Sequence, residues 1–276
     1  MSIKKFKGVY TAKSPISHGS DEDFGMEQRF RTMEMEVEED GERFNEEIPI
    51  VSGNGLRGQL RDLLARDLLD RLDIEVHDKL LYALYAGGSL EGGTGGRKID
   101  RDLIDEVREK IPMISLIGTA LGTETIDSKV NIGHLIPVAS ETQSYTGREA
   151  EKSVFNYLDD TFYTRSDDIE GSTEREDGEQ AQQMKFDVQI LIPGTRFHHR
   201  VTLRHCNEVE EACLYHAFKL FDENPHIGGM QSKGHGQVEF EYEDGLGDNQ
   251  PYLDFIEENK EEITEFLKTL DEKLEG

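Results

Sequence analysis

The chain has 276 residues, with 58 Asp and Glu against 31 Lys and Arg, for a formal net charge of −27. That length is enough for one large domain with insertions, or one domain with a small companion. It contains no run of eighteen apolar residues, which excludes a spanning helix. The start, MSIKKFKGVY, has lysines but no apolar signal segment, and two cysteines are too few for a disulfide framework, so a reducing, cytoplasmic setting is expected. An acidic field of this size repels nucleic acid at low salt. Dispersed along the chain and with no Trp, the acids also read as the solvation chemistry of a halophilic chain. At molar salt the Debye length is about 3 Å and the repulsion is screened. An ordinary acidic protein that binds cations or basic partners is the other reading of the same charge.

In chain order, residues 3–13 alternate as a strand, 14–25 (SPISHGSDEDFG) form a turn-rich loop, and 27–40 alternate again. DGERFNEE reads as a connector and IPIV as a short strand. Leu56, Leu60, Leu63, Leu64, Leu68 and Leu72 recur at helical spacing and predict a helix over 55–72. Residues 76–125 read as short helices interrupted by glycines, a helical insertion on a mixed fold. Residues 129–140 read as a strand, and the acid-rich stretch 164–180 as a loop without apolar periodicity. Alternation on both sides of Pro193-Gly194-Thr195 predicts a β-hairpin. A helix over 207–223 follows, then a glycine-rich loop feeding a strand, and an acidic amphipathic helix over 251–274. This order contains a βαββαβ plan, as in ferredoxin-like and RRM-like α+β folds.

Three stretches concentrate chemistry. In IPIVSGNGLRGQLRD, Ser52 or Asn54 caps a helix whose first N–H groups, with Arg57 and Arg61 four apart on one face, make an anion site suited to phosphate. A plain cap, with the arginines paired to Asp62 or Asp67, is the alternative. In IGGMQSKGHGQVEF, Gly228, Gly229, Gly234 and Gly236 surround Ser232, Lys233 and His235, as in a backbone nest for an anion or a simple loop. In SPISHGSDEDFG, His18 stands near Asp21 and Asp23, a pattern that serves metal binding or hydroxyl activation, or is merely a solvated acidic loop. Cys206 and Cys213, near His205 and His216, read as buried thiols rather than a metal set. Adjacent His198 and His199 face opposite ways on a strand. No cofactor motif is present.

SPISHG after the first strand, Pro49, Ser52, Gly53, Leu56, Arg57, Gly58 and Arg61 at the first helix, and Gly228, Gly229, Ser232, Lys233, Gly234 and Gly236 before the last strand together resemble the RAMP superfamily of CRISPR-associated proteins. The resemblance spans roughly residues 3 to 243 and leaves the acidic C-terminal helix outside. It implies a modified RRM-like domain over 1–243, with 76–125 as its helical part and 140–183 as a thumb, followed by the helix in 244–276. It further implies a backbone subunit that binds guide RNA (crRNA), stacks head to tail with copies of itself, and presents the spacer to a target nucleic acid within a larger effector complex. His18, Arg29, Arg31, Asn54, Arg57, Arg61, Gly229, Ser232, Lys233 and His235 are then the expected RNA contacts, with no metal or cofactor. The ISHGS start and the 82–90 segment lean towards type IV. A type III-like, metal-dependent endoribonuclease using Asp21 or Asp23 is the alternative.

Overall fold

The computed structural model describes residues 2–20, 27–39, 41–88, 101–121, 124–165 and 184–275. Its elements follow the sequence in a mixed α+β order. Strands β1 (Ile3–Ala12), β2 (Glu27–Gln28), β3 (Thr32–Glu39) and β4 (Glu42–Pro49) come first. Helices α1 (Gly53–Leu72), α2 (Asp78–Tyr85), α3 (Arg101–Lys110) and α4 (Pro112–Ile117) follow. Then come β5 (Thr119–Leu121), β6 (Glu124–Ile126), β7 (Val130–Ile132), β8 (Ile136–Pro137) and the short α5 (Gln143–Thr146). Strands β9 (Leu158–Arg165), β10 (Met184–Leu191) and β11 (Arg196–Arg204) precede α6 (Glu208–Asp222), β12 (Val238–Tyr242), α7 (Gln250–Glu258) and α8 (Lys260–Glu275). No helix among the described residues is long and apolar enough to cross a membrane.

The main sheet has the order β12-β1-β11-β7, with β8 also on β11, and every pairing is antiparallel. Alternation along β1 and β11 sorts the residues by face. Phe6, Tyr10 and Ala12 of β1, and Phe197, Val201 and Leu203 of β11, join one apolar cluster with the leucines of α1 and with α6. Phe221 and Phe218 of α6 meet Tyr10, Phe240 and Tyr242 ring to ring. The intervening residues Lys5, Lys7, Arg196, Arg200 and Arg204 are exposed on the opposite side, where Arg200 bonds Tyr145 O of α5 and Arg148 bonds buried His198.

Helix α1 forms because Leu56, Leu60, Leu64, Leu68 and Leu72, each one turn from the next, are all buried. Ser52 caps it by accepting from Asn54 N, and Asp73, in the left-handed region at φ 55°, ends it. A reciprocal capping box starts α6: Asn207 Oδ1 accepts from Glu210 N at 2.8 Å, and Glu210 Oε2 accepts from Asn207 N at 3.0 Å. The other oxygen of buried Glu210 takes bonds from Ser115 and Lys129, tying α4 to α6.

Three expectations are corrected. Pro193-Gly194-Thr195 does not turn a hairpin. β10 pairs with β9 and β2, whereas β11 pairs with β1, β7 and β8, so the chain crosses here between two sheets. The crossing is held by Ile192 N to Tyr157 O (2.9 Å) and Gly194 N to Ala12 O (2.8 Å). DGERFNEE is not a connector, since β4 pairs with β3 from Thr32↔Pro49 to Glu39↔Glu42. Met35, Val37 and Ile48 of this ribbon bury against Ala139 and Val154 in a small second core. The C-terminal helix is two helices, which meet at Asn259. Their residues Tyr252, Ile256, Ile263, Phe266, Leu267 and Leu270 belong to the main apolar cluster.

His198 and His199 sit in the middle of β11. Burial, with Arg200 and Arg148 beside it, lowers the pKa of His198 to about 4, and burial lowers that of His199 to about 3. The unfolded chain takes up these protons near pH 6.5 and the folded chain does not. Stability is therefore full above pH 6.5 and declines as pH falls towards these lowered values. Between pH 6.5 and 5 the denaturation midpoint is expected to drop, with His199 alone contributing about 2 kcal/mol. His199→Gln should flatten that slope, and a midpoint constant over this range would refute the assignment.

Candidate nucleic-acid interface

The three motifs, far apart in sequence, meet at the loop that follows β1. Gly229 N donates to Ser17 O at 2.7 Å, Gly236 N to Pro15 O at 2.8 Å, and Lys13 N to Gln237 O at 2.8 Å. Only glycine fits where this contact is tightest. At Gly228 (φ +74°) a Cβ would lie 2.2 Å from Ser17 O, and at Gly236 (φ +94°) it would lie 2.5 Å from Ile227 O. On its other side the loop reaches α1, where His18 Nε2 accepts from Ser52 N at 3.1 Å. It also reaches the chain ahead of β3, where Arg31 N donates to His18 O at 2.7 Å and Ser20 N to Arg29 O at 3.0 Å. Thus His18, Arg29, Arg31 and Gly229 meet at one loop, and Asn54, Ser232 and Lys233 are exposed in the segments that touch it.

The start of α1 is not an open anion site. His134 Nδ1 accepts from Gly53 N at 3.1 Å, Ser52 Oγ takes Asn54 N at 3.2 Å, and Ser52 O takes Gly55 N at 3.1 Å. With Ser52 N on His18, the first donors are consumed within the protein. Neither arginine points to this surface. Arg57 donates to Ile117 O, and Arg61 donates to Gly118 O at 3.0 Å. Both guanidiniums serve the end of α4, whose last carbonyls lack helical partners. Arg61 is only 8% exposed, and burial lowers its pKa, with Arg57 adding to the effect. Its expected phosphate contact is therefore replaced by an internal strut. His235 is also inside. It is 3% exposed, and its Nε2 bonds the Tyr163 hydroxyl. Lys233 Nζ lies 4.4 Å from the centre of the Tyr163 ring, which fixes this exposed cation above β9.

Beside the motif surface lies a cleft of about 760 Å³. Arg29, Arg31 and Phe30 line one part of it, and Phe155, Leu158 and Gln189 another, with Glu46 and Glu47 at the β4 side. Gln189 Oε1 accepts from Phe30 N at 3.0 Å and holds the two parts together. Asp21 and Asp23 lie outside the described residues, as do 166–183 of the expected thumb. Among the described residues no three His, Cys, Asp or Glu side chains gather as a metal set.

Tyr163, His134 and the cations of the outer sheet face were not singled out from sequence. The signal for the cations was present in the alternation of Lys5 and Lys7 and of Arg196, Arg200 and Arg204. It becomes readable only once β1 and β11 are known to pair, with Lys7 opposite Arg200.

An α+β chain whose glycine loops converge on the loop after the first strand defines a class. The family model described as "RAMP superfamily" matches residues 11–239, so the chain belongs to the RAMP superfamily. The fold is also similar to that of a chain in a solved structure described as "Type IV-B CRISPR Complex". That likeness has a TM-score of 0.58 and 19% sequence identity, covering 87% of this chain and 90% of the other. No curated protein matches the sequence.

Two glycines separate packing from approach. Gly228→Ala should destabilise the fold by about 1–3 kcal/mol, because its backbone is left-handed and its Cβ has no room. Gly58→Ala, helical and with nothing within 4 Å, should stabilise it by up to about 1 kcal/mol. Denaturant midpoints for the two variants check the pair, and equal effects would contradict this reading of the loop.

Proposed function

We propose that this protein is a guide-RNA-binding backbone subunit of a CRISPR effector ribonucleoprotein, related to the type IV assemblies. The observation that carries the reading is the convergence of three separate glycine-bearing motifs on the loop after β1, in a chain of the RAMP superfamily. The likeness to a chain of a Type IV-B CRISPR complex supports it. The sheet order β12-β1-β11-β7, with α1 and α6 on one side, favours a ferredoxin-like, RRM-like core. In this account 76–125 is the helical insertion, 140–183 the thumb and 244–276 a C-terminal addition. Copies stack along the guide, which pairs with its target beside other effector subunits, and no cofactor takes part.

The RNA backbone would run over Asn54, Gly229, Ser232 and Lys233 towards Arg29 and Arg31. Gly58, with open space above it, allows close approach at α1. Arg61 and His235 would shape this surface from within, and Arg57 would anchor α4 behind it. Replacing Lys233, Arg29 and Arg31 by Ala should weaken single-stranded RNA binding and reduce the slope of log K against log salt by about two. Arg61→Ala should lower stability and leave that slope unchanged. A triple variant with the wild-type slope would remove these side chains from the phosphate track.

A further inference from the structure

The cleft beside the motif surface holds two groups that the fold leaves uncommitted. Glu46, on β4 opposite Met35, is half-buried, and no donor among the described residues bonds its carboxylate. Such a carboxylate loses hydration and regains nothing from a partner, which costs free energy. Phe155, on another wall, is 43% exposed and belongs to neither apolar core. Its backbone is fixed in a tight turn, where Ser153 Oγ accepts from Phe155 N at 3.3 Å and Phe155 O accepts from Leu158 N. An unmatched acceptor and an unpacked ring in one cleft are what a ligand would complete.

The rest of the lining says which ligand. Arg29 and Arg31 stand just ahead of β3, with Arg29 paired to Glu27 at 3.2 Å and Arg31 O accepting from Ile50 N. Glu46 and Glu47 lie opposite Met35 and Glu34, four and three residues further along the ribbon than Arg31, which is about 10–13 Å at the rise of a strand. Cations and carboxylates are thus at separate ends of the cleft. A simple anion suits only the first end, and a lysine or arginine side chain only the second. A ligand that suits both carries an anionic group, a flat ring, and hydrogen-bond donors on the far edge of that ring. A nucleotide has this order, and unstacked bases settle on aromatic side chains. Ionised carboxylates only accept, so the base edge must donate. Guanine offers N1–H and N2–H₂ side by side. Adenine and cytosine set an acceptor next to their amino group, and uracil flanks its one N–H with two carbonyls. The volume of about 760 Å³ lies within the range of about 300–1,000 Å³ that small-ligand pockets occupy.

We propose that this cleft binds one unstacked guanine nucleotide. The base lies on Phe155, its N1–H and N2–H₂ edge meets the Glu46 carboxylate, and its phosphate sits at Arg29 and Arg31. Gln189 Oε1, which accepts from Phe30 N at 3.0 Å, holds the two walls in place. Glu47 is the less available acceptor, since its Oε2 already takes Thr32 Oγ1 at 3.3 Å. The same chemistry recognises a free guanine nucleotide or a guanosine within a strand. In a strand the proposal rests on the guide-RNA reading above, and the base belongs to the constant part of the guide, because spacers vary.

The test measures fluorescence anisotropy of labelled short oligouridines, unbroken or with a single central G, A or C, on the nuclease-treated full chain. The G strand should bind wild type about tenfold more tightly than the unbroken one. Glu46→Gln should remove most of that preference and leave affinity for the unbroken strand unchanged. Phe155→Ala should weaken the G strand by about tenfold, and Phe155→Tyr should keep it. Both side chains lie outside the apolar cores, so the variants should unfold at the wild-type denaturant midpoint. Competition with guanosine and uridine monophosphates separates the sources. Displacement by the guanine nucleotide alone assigns the cleft to free nucleotide, and displacement by neither assigns it to a strand. Equal affinities for all four strands, or a Glu46→Gln variant with the wild-type preference, would overturn the proposal and leave the guide-RNA reading standing. Absence of RNA binding, with Glu46-dependent binding of guanosine monophosphate, would remove the guide-RNA reading and leave the cleft standing. Binding of neither would overturn both.

Discussion

The pairing of β1 with β11 is the constraint on which the rest depends. Nine consecutive residue pairs, from Ile3↔Arg204 to Thr11↔Arg196, lock the two strands in one register. A slip of one residue would turn every side chain over. In the observed register the rings of Phe6, Tyr10 and Phe197 enter the core under α1 and α6, while Lys5, Lys7, Arg200 and Arg204 go to the other side. The same register ends β1 where its continuation can hold the motif loop. Ala12 exchanges hydrogen bonds with Gly194 and Thr195, Ile16 pairs with Leu191, and Ser17 reaches Gly229. The motif surface is therefore a consequence of the central ladder.

Local periodicity made the strand β1 and the helices α1 and α6 legible, since each carries its own apolar spacing and, for the helices, its own cap. The three motifs were also legible, because glycines that tolerate positive φ or close contact stand out against a polar loop. What was illegible depended on partners distant in sequence. Alternation around Pro193-Gly194-Thr195 correctly implies two strands, but it carries no information on whether they pair with each other. Arg57 and Arg61 share a helical face, as their spacing requires, but that face looks at the carbonyls of Ile117 and Gly118, some sixty residues away. The alternation of Met35 and Val37 with Glu34, Glu36 and Glu38 made β3 legible, but its partner β4 was not, because only Ile48 and Pro49 at the end of that strand are buried.

The charge of −27 is not spread evenly over function. The helices carry many of the exposed acids, whereas the outer side of the sheet mixes Lys7 and Arg200 with Glu241 and Glu243, and the motif surface exposes Lys233. Lys233 is set by its contact with the Tyr163 ring, and Arg200 by His198 and Tyr145 O. A few cations placed in this way give local attraction that the total charge conceals.

The central claim is that the motif surface holds guide RNA. Its most direct test is to purify the chain from cells that express a guide array and to sequence whatever RNA remains bound. The account predicts short RNAs that share one repeat-derived end and differ in their spacers. Protein free of RNA, or carrying cellular RNA with no shared end, would contradict it.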